Sequence, residues 1–118
     1  MSDSCLFCKI IRKEINAKIV FENDLVLAFH DIHPLAPVHI LIIPKEHIQS
    51  MNDASDDKKN VLGEMLLVAS KLAKELNISE GGYKLLIRTG HHGGQEVPHI
   101  HLHLIGGARL SEGIGVIK

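Results

Sequence analysis

The chain has 118 residues, 45% hydrophobic and 23% charged, with a formal net charge of −1. That suits one globular domain with its own core, and it offers no bulk charge to attract nucleic acid or an acidic membrane. Aromatic residues make up only 3%, too few for a base-stacking surface, and no apolar run approaches a membrane span.

Met1-Ser2-Asp3-Ser4 lacks the basic stretch and following apolar run of an export signal. Cys5 and Cys8 follow, three apart, which predicts a reduced, cytoplasmic setting and metal or redox use before a structural disulfide. Cys5 to Glu14 reads as a short helix with apolar residues at 6, 7, 10 and 11. Lys18 to Glu22 and Leu25 to His30 read as strands around an Asn23-Asp24 turn. Val38 to Ile43 is a third strand between Pro37 and Pro44, and its Ile40-Leu41-Ile42-Ile43 run predicts burial on both faces.

From about Ser55 to Leu76 the period turns helical. Val61, Leu62, Met65, Leu66, Ala69, Leu72, Ala73 and Leu76 form one stripe, with Asp53 or Ser55 as the cap. Tyr83 to Ile87 is a strand, and His99 to Ile105 the last one. In it His99, His101 and His103 face one side, and Ile100, Leu102 and Leu104 the other. Strands joined mostly by short turns predict an antiparallel sheet with the helices on one face: α+β, one domain.

Nine histidines is the outlying feature, and three of them stand in that last strand. They read as core or surface residues, as ligands of one metal, or as a catalytic row. Side chains on one strand face repeat at roughly 6.5–7 Å, whereas donors of one zinc tetrahedron lie only ~3.3 Å apart. Two histidines of a strand can converge that far; three struggle. A row in which one neutral imidazole attacks while its neighbours hold a phosphate fits the spacing better. Gly93-Gly94-Gln95-Glu96 lies just upstream, and glycine N–H groups with a glutamine amide suit phosphoryl oxygens. Asp31 offers an acceptor for a ribose diol, or a turn residue before Pro34. Cys5 and Cys8 are half a metal site or two small apolar helix residues. His30, His33, His91 and His92 receive no role.

The run Gly93-Gly94-Gln95-Glu96-Val97-Pro98-His99-Ile100-His101-Leu102-His103-Leu104 resembles the signature of the histidine triad (HIT) superfamily. Ala28-Phe29-His30-Asp31-Ile32 and Ala36-Pro37-Val38-His39-Ile40-Leu41-Ile42-Ile43-Pro44-Lys45-Glu46-His47 are similar to its histidine triad nucleotide-binding branch. The resemblance implies a single domain over 1–118, with 1–4 and about 108–118 as terminal extensions. It implies a five-stranded antiparallel sheet with two helices, paired into a homodimer through the long helix and the Tyr83 strand. It also implies hydrolysis of purine nucleoside 5′-monophosphate derivatives, as in purine nucleoside phosphoramidases, through a covalent nucleotide on His101. His103 and His39, with His99, complete the catalytic row.

By the same resemblance Asp31 binds the ribose and Ile32 lies nearby. Phe7, Ile10 and Phe29 form a purine slot, and Gly94, Gln95 and Glu96 line the phosphate. The resemblance further implies structural zinc on Cys5, Cys8, His47 and His99, with no cofactor needed for the chemistry. The family often has Asn where this chain has Arg88, near the phosphate, so that Arg either adds charge there or points away. Pro98 replaces a frequent aromatic residue. The rival readings are a dinucleoside polyphosphate hydrolase and a nucleotide- or zinc-binding regulatory module with negligible turnover.

Overall fold

The computed structural model describes residues 4–117; residues 1–3, in the expected amino-terminal extension, and Lys118, at the other end, lie outside them. Helix α1 (Leu6–Ile11) leads to strands β1 (Ile19–Glu22), β2 (Val26–His30) and β3 (Val38–Pro44). Two 3-10 turns, Met51–Asp53 and Asp56–Lys58, precede helix α2 (Lys59–Glu75), and strands β4 (Tyr83–Leu86) and β5 (Leu102–Gly106) follow. The strands form one antiparallel sheet in the order β1-β2-β3-β5-β4. This is the expected α+β architecture.

Strand β3 runs through the middle of the sheet, so its Ile40–Ile43 segment is buried on both faces. On one face Ile40 and Ile42 join Val26, Ala28, Leu102 and Leu104 beneath Val61, Met65, Val68 and Leu72 of α2. On the other, Leu41 and Ile43 join Leu27 and Phe29 against Phe7, Cys8 and Ile10 of α1. The helices therefore cover opposite faces, not the single face expected. A central segment that is apolar on both faces exposes hydrocarbon on whichever side is left bare, and each helix removes one such side from water.

Helix α1 stops earlier than the expected Glu14 because Lys13 takes a left-handed conformation (φ 65°). Glu14 N–H then bonds the Lys9 carbonyl and Lys13 N–H the Ile10 carbonyl, closing the last turn. Asn77 (φ 61°) ends α2 by the same device. At the start of α2 neither expected cap acts. Ser55 makes no capping bond and its hydroxyl turns to Asp57, while Asp53 forms a capping box with Ser50 around the preceding 3-10 turn. The buried stripe is also rotated from the expected one: Val68 is buried, whereas Leu66 and Leu67 are 52% and 63% exposed.

The ladder of β5 begins at Leu102, three residues after the expected His99. His99 N–H bonds Val97 and Ile100 N–H bonds Ile48, so this stretch is tied to loops and not to a strand. The face alternation survives nonetheless. Ile100, Leu102 and Leu104 enter the α2 core, while the rings of His99 and His101 meet Phe7 of α1.

Candidate active site

Strand register assembles the histidine row. His103 lies opposite Leu41 of β3, and His39 lies opposite Ile105, so His39 and His103 are diagonal neighbours on the α1 face. Their rings meet, with His39 Nε2 2.9 Å from His103 Nδ1. The Leu35 N–H donates to His39 Nδ1 at 3.0 Å, so the single proton of neutral His39 sits on Nε2 and is donated to His103. His103 Nδ1 is then the acceptor, and its own proton sits on Nε2.

His101 is fixed from its own chain. Its Nδ1–H donates to the His99 carbonyl at 2.8 Å, which leaves the lone pair on Nε2. No group among the described residues hydrogen-bonds that Nε2. The four rings of His39, His99, His101 and His103 are at most 7% exposed, and burial disfavours their charged forms. Burial pushes His99 and His103 down to about 4 and holds His39 and His101 below the usual histidine value. Arg88 adds to the lowering at His39, His101 and His103. A neutral imidazole with a free Nε2 can attack an electrophilic phosphorus, and burial favours that neutral form.

Asp31 does two things at once. Its Oδ1 accepts from the His33 N–H in a tight turn, and its Oδ2 lies 3.4 Å from His39 Nε2. Phe7, Ile10 and Phe29 pack together in the α1 core at 4–5% exposure, so a base could meet only their margins. Ile32, 84% exposed, stands open beside Asp31 in the chain. The glycine loop is shaped by sterics. A Cβ on Gly93 would come within 2.3 Å of the Thr89 carbonyl oxygen, and Gly94 has φ +79°. The Gln95 side chain is committed to this loop: its Oε1 accepts from Gly90 N–H, and its Nε2 donates to the Gln49 and Val97 carbonyls. Glu96 is exposed at the end of the loop. His30, His33, His91 and His92 are exposed and take no part in the row.

A second cluster lies behind the row. Cys5 caps α1 through its sulfur, which accepts the Cys8 N–H. His99 donates Nε2–H to the Pro44 carbonyl at 2.9 Å, so its lone pair sits on Nδ1. That Nδ1 lies 3.5 Å from Cys5 Sγ, 3.7 Å from Cys8 Sγ and 3.1 Å from His47 Nδ1; His47 Nδ1 is 3.3 Å from Cys8 Sγ. Tetrahedral zinc would set S···N near about 3.6 Å and N···N near about 3.3 Å, from its bond lengths. All four donors lie within 4.8 Å of one another and could hold a metal ion. Burial, then Cys5, pushes the Cys8 thiol up to about 11. A cation among the four donors would reverse that.

A HIT domain family model matches residues 12–110. The chain belongs to the HIT domain family. It is 52% identical over 110 residues to the purine nucleoside phosphoramidase of Escherichia coli K12, covering 93% of this chain and 92% of that one. Its fold superposes on the crystal structure of a HIT family hydrolase from Legionella pneumophila Philadelphia 1 with a TM-score of 0.93, at 51% identity over 95% of this chain and 100% of that one. A histidine triad protein from Clostridium difficile gives a TM-score of 0.91 at 40% identity, covering 94% and 96%. Within this HIT domain the groups that set the tautomers of His39, His99 and His101, the Leu35 N–H and the Pro44 and His99 carbonyls, are backbone atoms. No residue type announces them in the sequence. Cys5 and Cys8 lie outside the matched span.

Proposed function

We propose that this HIT protein hydrolyses nucleoside 5′-monophosphate derivatives of the purine phosphoramidate type, with His101 as nucleophile. The observation that carries the reading is the His101 tautomer: Nδ1–H is held by the His99 carbonyl and the free lone pair is on Nε2. In the first step Nε2 bonds to the α-phosphorus. The phosphorus–nitrogen bond breaks with its electron pair on the amine, which takes up a proton from solvent. The nucleotidyl-imidazolium keeps Nδ1–H on the His99 carbonyl, so its positive charge faces a carbonyl dipole. Water then attacks phosphorus, releasing the nucleoside monophosphate, a proton and neutral His101. His39 and His103 form the relay beside the phosphoryl group, Asp31 and Ile32 receive the ribose, and Phe7, Ile10 and Phe29 back the purine. Gly94 and Glu96 line the phosphate, and Gln95 shapes that lining through its backbone bonds.

Cys5, Cys8, His47 and His99 fit zinc by donor chemistry and spacing, and with four protein ligands such a site is closed and structural. Both cysteines are free thiols, which supports a reduced, cytoplasmic setting. No helix among the described residues is long and apolar enough to cross a membrane. The exposed Leu66 and Leu67 of α2 and the exposed Leu85 of edge strand β4 support a homodimer through that side.

The test is a side-by-side assay of purified protein with an adenosine phosphoramidate and a diadenosine polyphosphate. The phosphoramidate is consumed faster, and rapid quench traps an AMP adduct on His101. Faster loss of the polyphosphate, or no turnover of either, would overturn the reading.

A further inference from the structure

A cavity of about 410 Å³ is lined by Cys5, Leu6, His47, Gln49, Glu96 and Pro98. Leu6, His47, Gln49 and Glu96 are exposed, so the cavity leads from solvent to Cys5, itself only 5% exposed. A small hydroperoxide is little larger than water and fits such an opening. Cys5 and Cys8 are free thiols and belong to the four-donor cluster, every donor within 4.8 Å of the others. A cation held there keeps both sulfurs as thiolates, the form that reacts with peroxides. Sulfurs of one zinc tetrahedron stand about 3.8 Å apart, whereas a disulfide needs about 2.05 Å. Cys5 and Cys8 can therefore serve the metal or each other, and not both at once.

Phe7 ties this pair to the histidine row. It lies between the two cysteines, in the turn where the Cys8 N–H donates to Cys5 Sγ at 3.4 Å. Its ring meets that of His99 at 5.8 Å and that of His101 at 5.0 Å between centroids, both edge-on. Drawing the two sulfurs together reshapes this turn and moves Phe7 with it.

We infer that Cys5 and Cys8 are a peroxide-sensitive pair whose oxidation to a disulfide expels metal from the cluster and weakens nucleotide binding through Phe7. The inference rests on the zinc and nucleotide readings above and adds a modification site that couples them. First, Cys5 Sγ attacks a peroxide oxygen; the O–O bond breaks, leaving a sulfenic acid and a hydroxide that solvent protonates to water. Cys8 Sγ then attacks that sulfur, the S–O bond breaks, and a second hydroxide leaves and becomes water. The two sulfurs give up two electrons in all, and the peroxide takes them. A dithiol reductant reverses the change by exchange.

The test exposes intact, zinc-loaded protein to hydrogen peroxide. A chromogenic chelator follows zinc release, peptide masses locate the disulfide, and calorimetric titration measures AMP affinity. Zinc should leave as the two thiols disappear, with a bond between Cys5 and Cys8 within one chain. AMP affinity should fall by at least about fivefold, the low end for a disturbed base–aromatic contact. Dithiothreitol with added zinc should restore it. Cys8→Ser and Cys8→Ala cannot close the bond, so peroxide should leave their AMP affinity where it was. Zinc release without that disulfide, or a disulfide that leaves AMP affinity unchanged, would overturn the switch and leave both readings intact. An equal peroxide effect in the two variants would place the oxidation elsewhere and overturn it as well. Protein that takes up no zinc, or binds no AMP when reduced, fails the corresponding reading, and the switch falls with it.

Discussion

The carbonyl of His99 holds the ring of His101 by a 2.8 Å bond, while the ring of His99 turns its free Nδ1 to Cys5, Cys8 and His47. The backbone of one histidine thereby sets the tautomer of the next but one, and its side chain anchors α1 to the stretch that presents it. Face alternation makes this possible. His99 and His101 both project toward α1, while Ile100 between them is locked in the α2 core.

His101→Ala should lose turnover of an adenosine phosphoramidate by at least about a thousandfold, because the His39 and His103 lone pairs accept hydrogen bonds and the His99 lone pair is turned to Cys5, Cys8 and His47. AMP affinity should change by less than about tenfold, since the glycine loop and Asp31 remain. Single-turnover kinetics paired with AMP titration check both halves. A variant that keeps a tenth of the single-turnover rate would remove His101 as nucleophile.

Acid should destabilise the fold through His103. Its folded pKa is about 4, pushed down by burial and then by His101, Arg88 and His39. In the unfolded chain the ring titrates near 6.5, so between those values the unfolded state binds more protons. Stability is therefore complete above about pH 6.5 and falls as pH drops toward 4, by about 3 kcal/mol for His103. His39, lowered chiefly by burial, acts in the same direction. Urea unfolding in chelator, from about pH 7.5 to 4.5, should give a steeper loss for the wild type than for His103→Gln. Parallel slopes would show that His103 is not the titrating group.

Much of this arrangement is legible in the residues. The period of the His99–Leu104 segment assigns the correct faces, and the Ile40–Ile43 run correctly announces a strand buried on both sides. What the sequence hides is set by backbone and by distance. The left-handed turn at Lys13 shortens α1 at a residue type that gives no warning. Gln95, whose amide suits a phosphate, is instead held by three backbone partners, two of them within its own loop. Residue type alone allows Arg88 to point in or away, and the structure places it beside His103.

The protein should sediment as a homodimer. Strand β4 is an edge of the sheet, and an exposed edge with apolar residues nearby on α2 invites a partner. Leu66→Glu/Leu67→Glu would place two carboxylates in that surface and should shift the protein toward monomer at micromolar concentration. A wild type that sediments as monomer at every concentration would refute the arrangement, and a charged variant that stays dimeric would move the interface away from α2.

Protein prepared without chelator should carry about one zinc per chain. The four donors converge from α1, the stretch after β3 and the approach to β5, so the metal would tie α1 to two segments that the Ile100 N–H bond to Ile48 already joins. Removing it should lower the melting temperature and speed hydrogen exchange in α1. Binding needs thiolates and neutral imidazoles, so affinity should fall as pH drops and those groups take up protons. Cys5→Ser/Cys8→Ser should lose the metal yet keep measurable hydrolysis, because the His99 carbonyl that orients His101 belongs to the backbone and stays tied through Val97. Elemental analysis together with the phosphoramidate assay decides the matter. If no zinc is found, the two cysteines serve only to pack the helix. If zinc survives their loss, the metal is held by the histidine row itself, and the division between a structural His99 and a catalytic His101 is wrong.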